Sequence, residues 1–194
     1  MKELSLNVLD IVENSTKAGA TRVEIQLRET PEKFTLAIVD DGCGMDEETV
    51  RSVTDPFYTT RTTRKVGMGI PLLKLAAEQT GGSLTITSRP QTQWPDDHGT
   101  TVTAVFDPRH IDFTPLGDIV SSFTTLIQGH PDVDFLLDHR WEGGQAVLDT
   151  AELRPILGED VPLNTYEVIQ WIAENLKEQY GDREKEILGK DRSS

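Results

Sequence analysis

The order in which hydrophobic periods change along the chain constrains its fold most. Residues 3–18 repeat on a helical period, with Leu4, Val8, Ile11, Val12 and Ser15 toward one side and Gly19 as a candidate C-cap. Residues 21–28 alternate instead, with Val23, Ile25 and Leu27 set between Arg22, Glu24, Gln26 and Arg28. After a turn at Pro31-Glu32-Lys33, Phe34 to Asp40 reads as a second strand, and Asp46 as the cap of a short helix ending near Val53. A helix from Ile70 to Thr80 has Pro71 in its first turn and Gly81 just past its end. Leu84 to Thr87 and Thr100 to Phe106 are two more strands, joined by a polar Pro- and Asp-containing loop to which no role is assigned. Helix, strand, strand, helix, helix, strand, strand is not the alternation of a doubly wound sheet. It predicts an α/β sandwich of the α+β kind, a mixed and largely antiparallel sheet with helices on one face.

Past Asp107-Pro108-Arg109 the pattern restarts, so residues 107–180 are expected to form a separate small α+β domain beside a first domain at 1–106. Pro115 to Gln128 reads as helical. Val133 to Arg140 and Gln145 to Leu148 flank Gly143-Gly144, a hairpin signal. Asn164 is a candidate cap for a final amphipathic helix carrying Val168, Ile169, Trp171, Ile172 and Leu176. Residues 181–194 are charged and are expected to fray.

A formal charge of −14 argues against nucleic acid as a partner, because a phosphate backbone needs a basic face. The charge is uneven, net −4 over residues 1–106 and net −10 over 107–194, so the second segment is the poorer place for a phosphate. No apolar run is long enough to span a bilayer, and the N-terminus lacks the make-up of a signal peptide. Cys43 is the one cysteine, which rules out an internal disulfide and points to a reducing cytoplasm.

Four short motifs then occur in a fixed order. Asp10, Asn14 and Lys17 share one face of the opening helix. Asn14 could lend its amide oxygen to Mg²⁺, which keeps few protein ligands beside phosphates and water. Lys17 could meet phosphate oxygens as a point charge. A solvated helix face explains the same stripe. Second, Asp40-Asp41-Gly42-Cys43-Gly44-Met45 ends a strand. Its glycines let backbone approach a flat ligand, and Asp40 could accept from the exocyclic amine of adenine. A plain Asp-Gly turn is the alternative, with Cys43 as a small filler. Third, Asp55-Pro56-Phe57-Tyr58-Thr59-Thr60-Arg61 runs into Thr62-Thr63-Arg64-Lys65-Val66, the one concentrated basic segment of an acidic chain. Arg61, Arg64 and Lys65 are candidates to meet phosphates, while Phe57 and Tyr58 are expected to pack beneath that loop rather than stack on the base. Fourth, Gly67-Met68-Gly69-Ile70 opens a helix, where free N–H groups and the macrodipole favour an anion. The Gly-x-x-x-x-Gly-Lys of a Walker loop is missing.

Taken together, these motifs resemble the GHKL ATP-binding domain, the nucleotide fold of histidine kinases, MutL and gyrase. Glu13-Asn14-Ser15 through Ala18-Gly19-Ala20-Thr21 resembles the N-box of MutL-like ATPases, whereas Lys17 looks like that of histidine kinases. Asp40-x-Gly42-x-Gly44 resembles the first glycine box and Gly67-x-Gly69 the second. Asp55-Pro56-Phe57-Tyr58-Thr59-Thr60 is similar to the kinase F-box, and Gly99-Thr100 to the closing glycine-threonine element. The resemblance covers residues 1–106. It implies the Bergerat fold, with ATP and Mg²⁺ as cofactors beneath a lid at about residues 59–66. It further implies Asn14 as metal ligand, with Lys17, Asp40, Gly42, Gly44, Met45, Thr60, Arg61, Arg64, Lys65, Gly67, Met68, Gly69, Ile70 and Thr100 around the nucleotide.

Asp10 stands where MutL-like enzymes carry a water-activating Glu. Asp falls short by one carbon–carbon bond, about 1.5 Å, and an offset near 1 Å can cost roughly a hundredfold in rate. Asp10 is therefore a weak catalytic base, a group behind the metal, or structural. Glu13 points to another side of the helix. None of His98, His110, His130 and His139 has a phosphoacceptor context, and surface or packing roles are expected for each. No phosphoacceptor hairpin precedes the N-box, so the expected acceptor is a partner protein. Three activities fit: transfer of the γ-phosphate to that partner, a nucleotide-gated binding module with little turnover, and a slow ATPase with Asp10 as base. Residues 107–180 are the expected partner-recognition element or, equally, a purely architectural one.

Overall fold

The computed structural model describes residues 3–55 and 67–183. Helix α1 (Leu4–Lys17) buries Leu4, Val8, Ile11, Val12 and Ser15, the side its period specified. Burying each such aliphatic side chain is worth about 1.5–3 kcal/mol, which fixes this helix to the sheet. Its C-cap is Ala18, and Gly19 follows at φ +77°, so Gly19 takes the left-handed position one residue beyond the cap. Strands β1 (Arg22–Glu29) and β2 (Phe34–Asp40) pair antiparallel, with Val23 opposite Asp40 and Leu27 opposite Leu36.

Helix α2 (Glu47–Thr54) is capped by Asp46, whose carboxylate accepts from the Thr49 N–H at 2.8 Å. Helix α3 (Gly69–Gln79) leads into β3 (Ser83–Arg89), which pairs antiparallel with β4 (Gly99–Phe106), itself antiparallel to β2. Helix α4 (Ile119–Gly129) starts four residues after the expected Pro115, because Pro115 and Leu116 are committed elsewhere. Their carbonyls accept from the Leu4 and Ser5 N–H groups at 2.9 and 2.8 Å, satisfying the open first turn of α1. Gly117 then turns at φ +76° and Asp118 caps α4 through Ser121.

Strands β5 (Asp134–Trp141) and β6 (Gly144–Asp149) form the expected hairpin, but they do not make a second sheet. β5 lies parallel to β1, with Val23 beside Phe135 and Leu27 beside His139. The result is one six-stranded sheet in the order β3-β4-β2-β1-β5-β6. A ladder and a continuous core, including Phe123, Phe135, Ile172 and Leu176, thus cross the boundary expected at residue 107. Helix α5 (Thr150–Leu157) was not anticipated from the sequence. It spans two turns, contains Pro155 and contributes only Leu153 and Leu157 to the edge of the core. Helix α6 (Tyr166–Tyr180) has Thr165 rather than Asn164 at its N-cap position and buries Val168, Ile172, Leu176 and Tyr180.

One face of the sheet carries Val23, Ile25, Leu36, Ile38, Val102, Ala104, Phe135 and Leu137, all buried. The strict alternation of β2 puts Asp40 on this same face, at the strand end.

Candidate functional site

Where β2 runs out beneath the last turn of α1, a cavity of about 180 Å³ opens. Ile11, Val53, Ile70 and Val102 supply apolar walls, with Met45 and Cys43 beside them. Asp40, Asn14, Lys17, Ser15, Thr49 and Thr100 supply the polar groups. Sites for drug-sized ligands run to about 300–1,000 Å³, so the walls described suit a flat base better than a whole triphosphate.

The two consecutive acids do different work. Asp41 faces the other way, and its carboxylate accepts from the N–H groups of Thr21 and Arg22 at 2.7 and 2.9 Å and from the Thr21 hydroxyl. Partial burial opposes its ionisation, but these donors outweigh that and hold the carboxyl below its usual range. Asp40 faces the cavity. Its Oδ2 accepts from Ser15 Oγ at 2.6 Å and its Oδ1 from the Gly42 N–H at 2.9 Å. Each oxygen keeps a further lone pair for a donor inside the cavity.

Gly42 is closely packed: a Cβ there would meet Asp40 Oδ1 at 3.0 Å and the Ala18 Cβ at 3.1 Å, so either neighbour would have to give by a few tenths of an ångström. Gly44 sits at φ +67°, and a Cβ on it would stand 2.0 Å from the Arg89 carbonyl oxygen. Thr100, opposite Asp40 in the ladder, hydrogen-bonds Ser88 Oγ at 2.8 Å, and Ser88 Oγ accepts from the Met45 N–H at 2.8 Å. The closing glycine-threonine element thereby fixes the residue that ends the first glycine box.

Asn14, Lys17, Asp40, Gly44, Met45, Ile70 and Thr100 therefore come together on one cavity. Gly42 is buried behind Asp40. Asp10, Gly67, Met68 and Gly69 do not line it. Gly67 and Met68 are exposed, and Gly69 is buried against α1, where a Cβ would come within 2.8 Å of the Asp10 Cβ. Asp10 is thus exposed beside the start of α3, one helical turn from Asn14. Thr60, Arg61, Arg64 and Lys65, with Phe57 and Tyr58 and the expected lid, lie outside the described residues. Among the described residues no group of three His, Cys, Asp or Glu side chains could hold a metal ion by itself.

Three contributors escaped the sequence. Ser15 reads there as part of the inward side of α1, and only the packing of α1 over β2 aims it at Asp40. Ser88 sits on an ordinary strand pattern. His98 belongs to a loop with no recognisable motif, yet its Nδ1 lies 2.6 Å from the Gly42 carbonyl oxygen. The other histidines are structural: His130 meets Glu13 at 2.7 Å, His110 lies near Asp112, and His139 is fully buried.

The model of histidine kinase-, DNA gyrase B- and HSP90-like ATPases matches residues 2–110. A sensor protein of Shewanella frigidimarina is 29% identical over 91 residues, 45% of this chain and 14% of that protein. The mismatch repair endonuclease pms1 of Dictyostelium discoideum is 37% identical over 59 residues, 30% of this chain and 6% of that protein. The chain therefore spans a small part of these curated relatives. Among solved structures, the N-terminal domain of a DNA repair protein superposes with a TM-score of 0.54 at 17% identity, over 94% of this chain and 58% of that one. That likeness concerns the fold alone, and it extends well past residue 110. No described helix is long and apolar enough to cross a membrane. With a family model covering more than half of its length and the Asp40 cavity in the matched part, the chain belongs to the histidine kinase-, DNA gyrase B- and HSP90-like ATPase family.

Proposed function

We propose that the chain binds Mg-ATP in the Asp40 cavity and acts as a histidine-kinase-like module, passing the γ-phosphoryl group to a partner protein. The observation that carries this reading is that Asp40, Asn14 and Lys17 all line one apolar-walled cavity. Asp40 would accept from the adenine amine, which guanine lacks at that position. Met45, Ile70 and Val102 would sandwich the ring. Asn14 would lend Oδ1 to Mg²⁺, with phosphate oxygens and water completing its shell. The metal, when bound, neutralises charge on the phosphates. Lys17 would meet the phosphates, together with Arg61, Arg64 and Lys65 from the basic segment. The N-terminus of α3 would add its free N–H groups.

Asp10 stands outside the cavity but beside the start of α3, where the phosphates would lie, so a slow ATPase with Asp10 as base is one alternative. A nucleotide-gated module without turnover is the other alternative to transfer. Residues 107–180 would recognise the partner, and exposed Ile156, Tyr166 and Trp171 are apolar enough to serve there. The lone Cys43 thiol suits a reducing, cytoplasmic setting.

Calorimetric titration with Mg-ATP tests the site. Asp40→Asn and Asn14→Ala should each weaken binding, and unchanged affinity in both would remove the assignment. Incubation with γ-labelled ATP separates the activities. Label on a co-purified protein supports transfer, steady phosphate release lost in Asp10→Asn supports the ATPase, and neither supports the gated module.

A further inference from the structure

The polar loop from Pro90 to His98 grips the first glycine box, although no motif marks it. β3 delivers one end of the loop to Gly44, which Arg89 approaches so closely that no side chain fits. β4 takes the other end away at Gly99, whose own Cβ would stand 2.0 Å from the Asp40 carbonyl oxygen. Between these ends the Gln91 N–H donates to the Cys43 carbonyl at 2.8 Å, and the His98 ring meets the Gly42 carbonyl at 2.6 Å. On the opposite side, the Cys43 N–H donates to the Ala18 carbonyl at the end of α1 at 2.9 Å. The glycine segment therefore lies between two jaws, the end of α1 and this loop.

We infer that His98 is a positioning residue for the Asp40 carboxylate, acting through the backbone of Gly42. Gly42 has no side chain to hold it, and glycine backbone is the least restrained of all. Its N–H orients Asp40 Oδ1 and its carbonyl accepts from His98. A carbonyl can only accept, so His98 Nδ1 must carry a proton, which fixes one ring tautomer. The carbonyl and the N–H of Gly42 lie in adjoining peptide planes that meet at its Cα, so releasing the carbonyl from His98 loosens one plane and, through the two soft dihedrals of glycine, the N–H that orients the Asp40 carboxylate. Discrimination between adenine and guanine depends on that orientation, because a misaligned buried donor or acceptor forfeits most of its bond.

This inference rests on the reading of Asp40 as the base-recognising acid, and two measurements separate their failures. Titration of the intact chain and of His98→Ala with Mg-ATP and Mg-GTP should show roughly a fivefold loss of ATP affinity and a smaller ATP-over-GTP preference. His98→Asn, whose amide nitrogen can replace Nδ1 as donor, should recover most of both. Equal affinity and equal preference in His98→Ala would overturn the inference while leaving the site reading intact. A fall in melting temperature with the preference unchanged would also overturn it, since that is the signature of plain packing. The second measurement needs no nucleotide: ¹⁵N NMR of the imidazoles should find neutral His98 protonated at Nδ1, and an Nε2–H ring would overturn the inference. Absence of ATP binding by the intact chain would instead bring down the reading of the site.

Discussion

Ser15 donates its hydroxyl to Asp40 Oδ2 at 2.6 Å, joining the last turn of α1 to the end of β2. The bond leaves Oδ1 to the Gly42 N–H and holds the carboxylate in one rotamer across the cavity wall. A hydrogen bond to a charged group is worth about 1.5–3 kcal/mol. Ser15→Ala removes one oxygen from a buried position without adding bulk. Calorimetry should therefore show Mg-ATP affinity reduced about tenfold, with far-UV circular dichroism unchanged.

The approach of Gly99 to Asp40 sets a second expectation. Gly99 lies at φ +140° and its Cβ would stand 2.0 Å from the Asp40 carbonyl oxygen. Gly99→Ala must therefore shift backbone in a paired strand, at a cost of about 2–4 kcal/mol once strain and overpacking combine. Gly143 makes the contrast: it has φ +90°, but a Cβ there meets nothing within 4 Å. Gly143→Ala should lose only the conformational part, about 1 kcal/mol. Urea unfolding of the two variants should separate them in that order.

The far end of the sheet carries a pH-sensitive element. Buried His139 lies between the Glu29 carboxylate, 2.8 Å from Nε2, and the Tyr180 hydroxyl, 3.0 Å from Nδ1. Arg183 pairs with the same carboxylate and lies over the Trp141 ring at 4.7 Å. A neutral ring satisfies the geometry, donating to Glu29 and accepting from Tyr180. Burial accordingly lowers the His139 pKa below its ordinary 6.5, despite Glu29, with Arg183 and Arg28 acting in the same direction as burial. Glu29 is held below its ordinary 4.5, because the hydrogen bonds from His139 and Arg183 outweigh its desolvation. Both groups take up protons more readily when unfolded, so stability must fall with acidification. The first decline should begin as pH drops below about 6.5 and the second below about 4.5. In His139→Gln the first should flatten and the second remain, which urea midpoints from pH 7.5 to 4 would read.

How much of this was legible in advance depends on how local each cause is. The strands at 22–29 and 34–40 declare themselves because one face is buried and the other is not, so alternation is written into neighbouring residues. The β1–β5 ladder leaves no such trace. Parallel pairing of Arg22–Arg28 with Asp134–Arg140 joins segments more than 100 residues apart, and nothing in either strand names the other. That is why residues 107–180 read as a separate unit when their strands extend the first sheet. The site divides in the same way. Asp40 and Asn14 were visible because their chemistry and spacing are local. Ser15 and His98 were not, because each acts through a register that only the folded sheet provides.

The β6 edge offers the last expectation. Gln179 of α6 accepts from the Val147 N–H at 2.8 Å and donates to the Val147 carbonyl at 3.0 Å, so one side-chain amide occupies the place of a neighbouring strand. Its Nε2 also donates to Asn175 at 2.7 Å, one helical turn away, which holds the amide in that orientation. Unpaired edge groups invite another chain to add a strand, and natural sheets blunt them. Gln179→Glu keeps the acceptor but replaces the donor with an oxygen facing the Val147 carbonyl. It should lower stability by about 1–3 kcal/mol, through one lost bond and one repulsive contact. Gln179→Ala removes both bonds without repulsion, should cost less, and leaves the Val147 N–H and carbonyl open to another chain. Sedimentation of Gln179→Ala at rising concentration should then show association that the parent chain lacks. A parent-like profile, together with an unaltered urea midpoint, would mean that the amide contributes nothing at this edge.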